Sequence, residues 1–167
     1  MAILDLGSGG GYPGFPLAAV LALERTLLVE SVGKKATFLR TVVEATGIEG
    51  RVRVEAARAE ALGHDGAQRE RWPAVTARAV GSLAELVELA FPLLRPGGRL
   101  IAWKRKDLDA EIDAARRAVT ELGGGQIDVH LVTPAALADH RIVIVTKRGR
   151  TSAAYPRDPA SRRRRPW

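Results

Sequence analysis

Short apolar runs and amphipathic stretches alternate along the chain from end to end. Ala2, Ile3 and Leu4 open a strand over residues 2–6, and runs of strand length follow at 26–30, 51–55, 74–79 and 99–103, then at 127–132 and 142–147. Between them, 13–24, 34–46, 82–94 and 107–122 repeat their apolar positions at the helical period. Pro13 falls in the first turn of the first helix, where a missing N–H costs little. Phe38, Val42 and Ala45 mark the expected inner face of the second helix, which stops at Gly47. Ser82 and Glu85 form a capping box for the third. Strands alternating with helices predict an α/β fold: a doubly wound, mostly parallel seven-stranded sheet with right-handed crossovers. In such sheets the ligand lies beyond the carboxyl ends of the strands, at the switch point beside the first.

The loop that leaves this point is DLGSGGGYPGFP, residues 5–16. Glycine lets a backbone turn sharply and pass close to a ligand, because no Cβ intervenes. Taken from Gly9, Gly11 and Gly14, the loop fits the dinucleotide pattern G-x-G-x-x-G. Two residues oppose that register. Pro13 has no N–H to aim at a pyrophosphate, and Asp5 would set a carboxylate beside a dianion.

Taken from the strand outward, the loop is D-x-G-x-G-x-G, with Asp5, Gly7, Gly9 and Gly11. S-adenosylmethionine carries a sulfonium and an ammonium and no phosphate, so an acid now helps: Asp5 is expected to hold the ammonium, directly or through water. Glu30 ends the second strand nineteen residues after Gly11, where a carboxylate can take both hydroxyls of a ribose. That feature alone suits NAD equally, and an NAD-type oxidoreductase remains the alternative at this point.

Composition narrows the chemistry. With 167 residues, 46% of them hydrophobic, the chain can bury one substantial core. A domain over residues 1–150 and a basic tail over 151–167 are expected. There is no cysteine, which removes thiolate catalysis and thiolate metal sites, and the three histidines at 64, 130 and 140 lack metal-ligand spacing, so no metal is expected. No apolar run reaches the roughly eighteen residues of a membrane span, and Met1 leads straight into the first strand without a signal-like n-region. A cytoplasmic protein is expected. Net charge is +7, and after Arg141 the only acid is Asp158 among many arginines, either the footprint of a polyanionic partner or a solvated disordered tail.

Four stretches in order, DLGSGGGYPGFPLA, VGKKATFLRTVV, RAEAL at 58–62 and TARAVGSLAELVELAFPLLRPGGRL at 76–100, resemble one family. It is the bacterial methyltransferases that modify N7 of a guanine in 16S ribosomal RNA, also called the glucose-inhibited division protein B family. The resemblance covers most of the chain. It implies a Rossmann-like methyltransferase sheet, S-adenosyl-L-methionine as cofactor, and 16S ribosomal RNA or the small ribosomal subunit as partner of a monomeric enzyme. It implies that Gly7 and Tyr12 lie against the cofactor, with Ala59 and Glu60 at the adenine. It puts Arg78, the one catalytic candidate, at the methionine end or beside the base.

Family members carry a helical region before the glycine loop, whereas Met1 here stands almost at the loop; a truncated, non-catalytic RNA-binding relic is therefore a second alternative. The family's Lys-Gly after the fifth strand and Arg-His before the last are replaced by Lys104-Arg105 and His140-Arg141. These four residues, with Lys147 and Arg148, are the RNA-binding candidates. The residues also exclude some reactions. Pyrimidine C5 methylation needs a thiolate, and the Asn/Asp-Pro-Pro-aromatic loop common in exocyclic amine methylation is replaced by Ala77-Arg78-Ala79-Val80. A ring nitrogen remains, with a ribose hydroxyl or a small-molecule nitrogen still open.

Overall fold

The computed structural model describes residues 1–105, 108–133 and 135–167. Its strands are β1 (Ala2–Leu6), β2 (Arg25–Val29), β3 (Val52–Glu55), β4 (Trp72–Arg78), β5 (Leu94–Arg105), β6 (Gly125–Leu131) and β7 (His140–Lys147). Its helices are α1 (Gly14–Val20), α2 (Gly33–Ala45), α3 (Ala59–His64), α4 (Leu83–Ala90), α5 (Asp109–Glu121) and α6 (Pro159–Arg164). The strands form one sheet in the order β3-β2-β1-β4-β5-β7-β6. The first five pair in parallel, while β7 runs antiparallel to both β5 and β6. The order reverses at β1, between β2 and β4, and the glycine loop leaves the sheet there.

The main core lies between the sheet and α4 and α5, with Trp72, Phe91, Leu86 and Leu100 fully buried. Each such side chain contributes on the order of 1.5–3 kcal/mol by leaving water. Every residue of α4 except Glu85 is buried. A helix apolar all round must be covered on every side; α5 and α3 pack on α4 beside the sheet, and Tyr155 and Trp167 of residues 151–167 pack against the same core. From sequence this segment could be either a polyanion-binding end or a disordered tail. In the structure, Arg69 donates to the carbonyls of Thr151, Ser152 and Tyr155, and α6 follows with its N-cap at Asp158.

Several elements differ from the sequence expectation. The inner face of α2 is Ala36, Leu39 and Val43, not Phe38, Val42 and Ala45. Both series fit the helical period, and the first meets Leu28 and Val52, leaving Phe38 53% exposed. The first helix ends at Val20 rather than residue 24, and Pro13 is its N-cap. Helices α3 and α6 and a 3-10 turn at Ala135–Leu137 were not foreseen. The expected start of the fourth helix at Asp107 lies outside the described residues.

Candidate active site

The glycine loop is built on two carboxylates. Asp5 is wholly buried beneath it: one carboxylate oxygen accepts from the Gly14 N–H at 3.2 Å, the other from the Thr76 hydroxyl at 2.7 Å. Burial pushes the Asp5 carboxyl above its ordinary range, opposed by the hydrogen bonds from Thr76, Ser8 and Gly14 and by the nearby Arg78 charge. This corrects the direct contact with the ammonium expected of Asp5, the other expected route being through water. The side chain joins the loop to β4 and has no face open to a ligand. A Cβ on Gly14 would stand 2.7 Å from Asp5 Cβ, so glycine there is a packing requirement.

Glu30 holds the loop from the other side. Its Oε2 accepts from the Gly9 N–H at 2.9 Å and its Oε1 from the Val32 N–H at 2.8 Å. Each oxygen of a carboxylate has two acceptor sites, so one per oxygen remains for a pair of hydroxyls. Gly7, Gly9 and Gly11 all have positive φ, the left-handed conformations that side chains rarely adopt. A Cβ on Gly7 would come within 2.5 Å of Val80 Cγ2, which fixes the glycine loop against the loop after β4.

That second loop begins at Arg78, the last residue of β4, and turns at Ala79 with φ +58°. A non-glycine residue held there costs on the order of 1–2 kcal/mol, and here the turn separates Arg78 from Val80. Arg78 is exposed, and its guanidinium carbon lies 5.6 Å from the centroid of the Tyr12 ring. The guanidinium thus faces an aromatic ring. Ala59 and Glu60 open α3, where Glu60 forms an ion pair with Arg162 of the C-terminal segment.

Tyr12, Arg78 and Val80 line a cleft of about 880 Å³, whose other walls include Leu17, Trp103 and His140. No aspartate or glutamate lines it among the described residues. The Nδ1 of His140 is buried in the cleft wall with no hydrogen-bond partner among the described residues, an atom that a bound group can satisfy.

Strand direction sorts the cationic candidates. Because β7 is antiparallel to β5, Lys104 pairs with Arg141 and Arg105 with His140, at the edge where the cleft opens. Lys147 ends β7 at the opposite edge of the sheet, and Arg148 follows it. Lys147 is a correction: it is fully buried, and its ammonium donates to Glu70, the Phe91 carbonyl and the Leu94 carbonyl. Lys104 lines the cleft but is 10% exposed, pairing with Glu111 at 3.0 Å and donating to the Gly81 carbonyl at 2.9 Å. It fastens the Arg78 loop to α5. Arg141 donates to the carbonyls of Ala138 and His140, while Arg105 and Arg148 are exposed.

Sequence reasoning missed Trp103 and Val80 at the cleft and Glu88 behind it. Trp103 stood at the carboxyl end of a strand, the place where ligands are met. Glu88 stood as a lone acid in the apolar run LVELAF, which is the signal for a buried charge awaiting a partner.

The family model described as rRNA small subunit methyltransferase G matches residues 1–140. The ribosomal RNA small subunit methyltransferase G of Roseiflexus sp. is 44% identical over 99% of this chain and 70% of its own length. That of Chloroflexus aggregans is 43% identical over 98% of this chain and 68% of its own length. The chain thus spans about two thirds of these relatives. A crystal structure of a predicted O-methyltransferase from Agrobacterium tumefaciens superposes with a TM-score of 0.68 at 28% identity, over 87% of this chain and 73% of that one. The glycine loop, the Arg78 loop and the β4–β5 edge all lie within the matched residues, and the chain belongs to the rRNA small subunit methyltransferase G family.

Proposed function

We propose that this protein transfers the methyl group of S-adenosyl-L-methionine to N7 of a guanine in 16S ribosomal RNA. The observation that carries this reading is the composition of the cleft: two aromatic rings, Tyr12 and Trp103, with Arg78 and His140, and no carboxylate lining it among the described residues. Such a cleft can stack a base and hold its edge, and it offers no carboxylate as a general base among the described residues, His140 being its one imidazole.

The residues present fit the cofactor. Gly7, Gly9 and Gly11 leave a loop without side-chain obstruction, Glu30 keeps acceptor sites for ribose hydroxyls, and Ala59 with Glu60 borders the adenine side. When bound, S-adenosylmethionine supplies a methyl on sulfonium: the N7 lone pair forms the new N–C bond, the C–S electron pair stays on sulfur, and no proton leaves the base. The chain's task is alignment, since in-line displacement gains most from holding its partners in register. Arg78, steadied on Tyr12, is placed to donate to the O6 edge of a purine. The rings of Tyr12 and Trp103 offer negative π-faces to a base that becomes cationic as N7 is alkylated. Leu17, Val80 and Ile142 keep the cleft wall apolar and exclude water.

The same reading has the protein act as a monomer in the cytoplasm, on RNA of the small subunit. Among the described residues no helix is long and apolar enough to cross a membrane. The test is methyl transfer from labelled S-adenosylmethionine to small-subunit RNA, with identification of the modified nucleoside. Label in 7-methylguanosine, lost when the target is 7-deazaguanosine, is the expected result. Label in another nucleoside, or none from a chain that binds the cofactor, would remove the proposal.

A further inference from the structure

One buried carboxylate, Glu88, holds two points of the C-terminal segment, Arg157 and Trp167. Glu88 Oε1 accepts from the Arg157 backbone N–H at 2.8 Å and from Arg157 Nε at 2.9 Å. Its Oε2 accepts from Arg157 Nη2 at 2.6 Å and from Trp167 Nε1 at 2.7 Å. Four donors fill the four acceptor sites of a carboxylate, so residues 157 and 167 meet at one point and 158–166 form a closed arm. Within it Arg157 also donates to the Arg165 carbonyl at 2.8 Å, and Arg162 donates to the Arg157 carbonyl at 2.7 Å.

The arm divides its arginines by use. Arg157 is taken by Glu88, and Arg162 by Glu60 and by Glu85 at 3.5 Å. Arg163, Arg164 and Arg165 are exposed, and the only acid of residues 151–167, Asp158, accepts from the N–H groups of Ala160 and Ser161. Arg163 lines a groove of about 310 Å³ with Ser82, Glu85 and Trp167. The same turn supplies Gly81 and Leu86 to the active cleft, so groove and cleft adjoin. Arg164 and Arg165 line a hollow with His64.

We propose that this arm is a pre-organised binding element for the RNA backbone beside the target base. The inference rests on the RNA-methyltransferase reading above and names a surface that reading does not use. Arginines held in place by a closed loop lose less freedom on binding than those of a loose tail. A charged strand entering the cleft at Gly81 passes Arg163 next.

The test is RNA affinity at a series of salt concentrations, using a small-subunit RNA fragment and the full chain. The variant carries Arg163→Ala, Arg164→Ala and Arg165→Ala together, all at exposed positions. Each phosphate that is no longer neutralised lowers the slope of log affinity against log salt by about 0.7 for single strands. The slope is expected to fall by about 2 and the affinity by about tenfold or more, with affinity for S-adenosylmethionine unchanged. Trp167→Ala opens the arm without removing charge, and is expected to weaken RNA binding several-fold at an unchanged slope.

Wild-type affinity and slope in the triple variant would overturn the arm. So would arm-dependent binding to anionic vesicles or an acidic protein without any to RNA. Methyl transfer is followed in the same samples at saturating RNA. Arm-dependent RNA binding without transfer by the wild type would overturn the transfer reading and keep the arm.

Discussion

Gly7 and Val80 meet so closely that a methyl group on Gly7 would stand 2.5 Å from Val80 Cγ2, although they come from different loops. The glycine loop and the Arg78 loop are therefore one unit. Gly7→Ala adds this clash to the cost of a side chain at φ +66°, about 1–2 kcal/mol. It is expected to weaken S-adenosylmethionine binding at least tenfold in isothermal titration. Gly10→Ala, which has open space around its Cβ and no positive φ, is expected to bind as wild type. Equal losses in both variants would show that the close approach is not the cause.

Asp5 accepts from one donor that is fixed and one that can reverse. The Gly14 N–H can only donate, whereas the Thr76 hydroxyl can rotate to accept. In Asp5→Asn the amide oxygen can keep Gly14 while the NH₂ turns to Thr76. This variant is expected to cost under about 1.5 kcal/mol, and Asp5→Ala, which strands a buried N–H, about 2–3 kcal/mol. Thermal or denaturant unfolding of the two distinguishes them. Equal costs would mean that the Thr76 hydroxyl does not reverse.

The ring of Tyr12 lies 5.6 Å below the Arg78 guanidinium, a contact worth about 0.5–1 kcal/mol at an exposed site. Tyr12→Phe keeps the ring and is expected to retain wild-type transfer, while Tyr12→Ala is expected to lose at least about two- to fivefold in kcat/KM, the share of the Arg78 contact alone, and more through the lost stacking on the base. Arg78→Lys keeps charge but loses the planar fork, and should fall well below Tyr12→Ala. A fully active Arg78→Lys would reduce Arg78 to a point charge.

The parallel core and the glycine loop were legible because each depends on near neighbours in sequence: an apolar run, a turn and a helix start. The face of α2 was not, since two series of apolar positions fit one helix and only Leu28 and Val52 of the sheet decide between them. Asp5 was visible as an acid in the loop, but its burial under Gly14 depends on Thr76 from a strand far along the chain. The cation candidates divided on strand direction, which a run such as RIVIVTKR does not state. Glu88 could be seen as an oddity in an apolar helix. Its partners, Arg157 and Trp167, required the chain to return.

Acid should release the arm before it unfolds the sheet. Burial alone would raise the Glu88 carboxyl, but the hydrogen bonds from Arg157 and Trp167 and the Arg157 charge outweigh it and hold the group below its ordinary 4.5. A depressed carboxyl contributes stability that is complete above the unfolded value and is lost as pH falls through the folded one. The Trp167 indole N–H resonance is therefore expected to shift as pH drops below about 4.5, ahead of the loss of far-ultraviolet ellipticity. In Glu88→Gln the early shift should vanish. An indole signal that moves only with global unfolding would show that the arm has no separate acid response.

Lys147 offers the clearest separation of a structural cation from one that meets RNA. Its three donors reach Glu70 at 2.9 Å, the Phe91 carbonyl at 2.7 Å and the Leu94 carbonyl at 2.8 Å, leaving none for a phosphate. Burial lowers the ammonium below its ordinary value despite the pair, whereas for the part-exposed Glu70 the bonds from Lys147 and Thr151 outweigh burial and lower the carboxyl. Lys147→Met is expected to destabilise the chain by about 2–4 kcal/mol, below the top of the range for a broken buried pair because Glu70 keeps Thr151 and Arg150. Denaturant unfolding measures that loss. RNA affinity of the folded variant, and its salt slope, are expected to match wild type. A slope reduced by about 0.7, one phosphate's share, would mean that Lys147 leaves its pair to reach RNA.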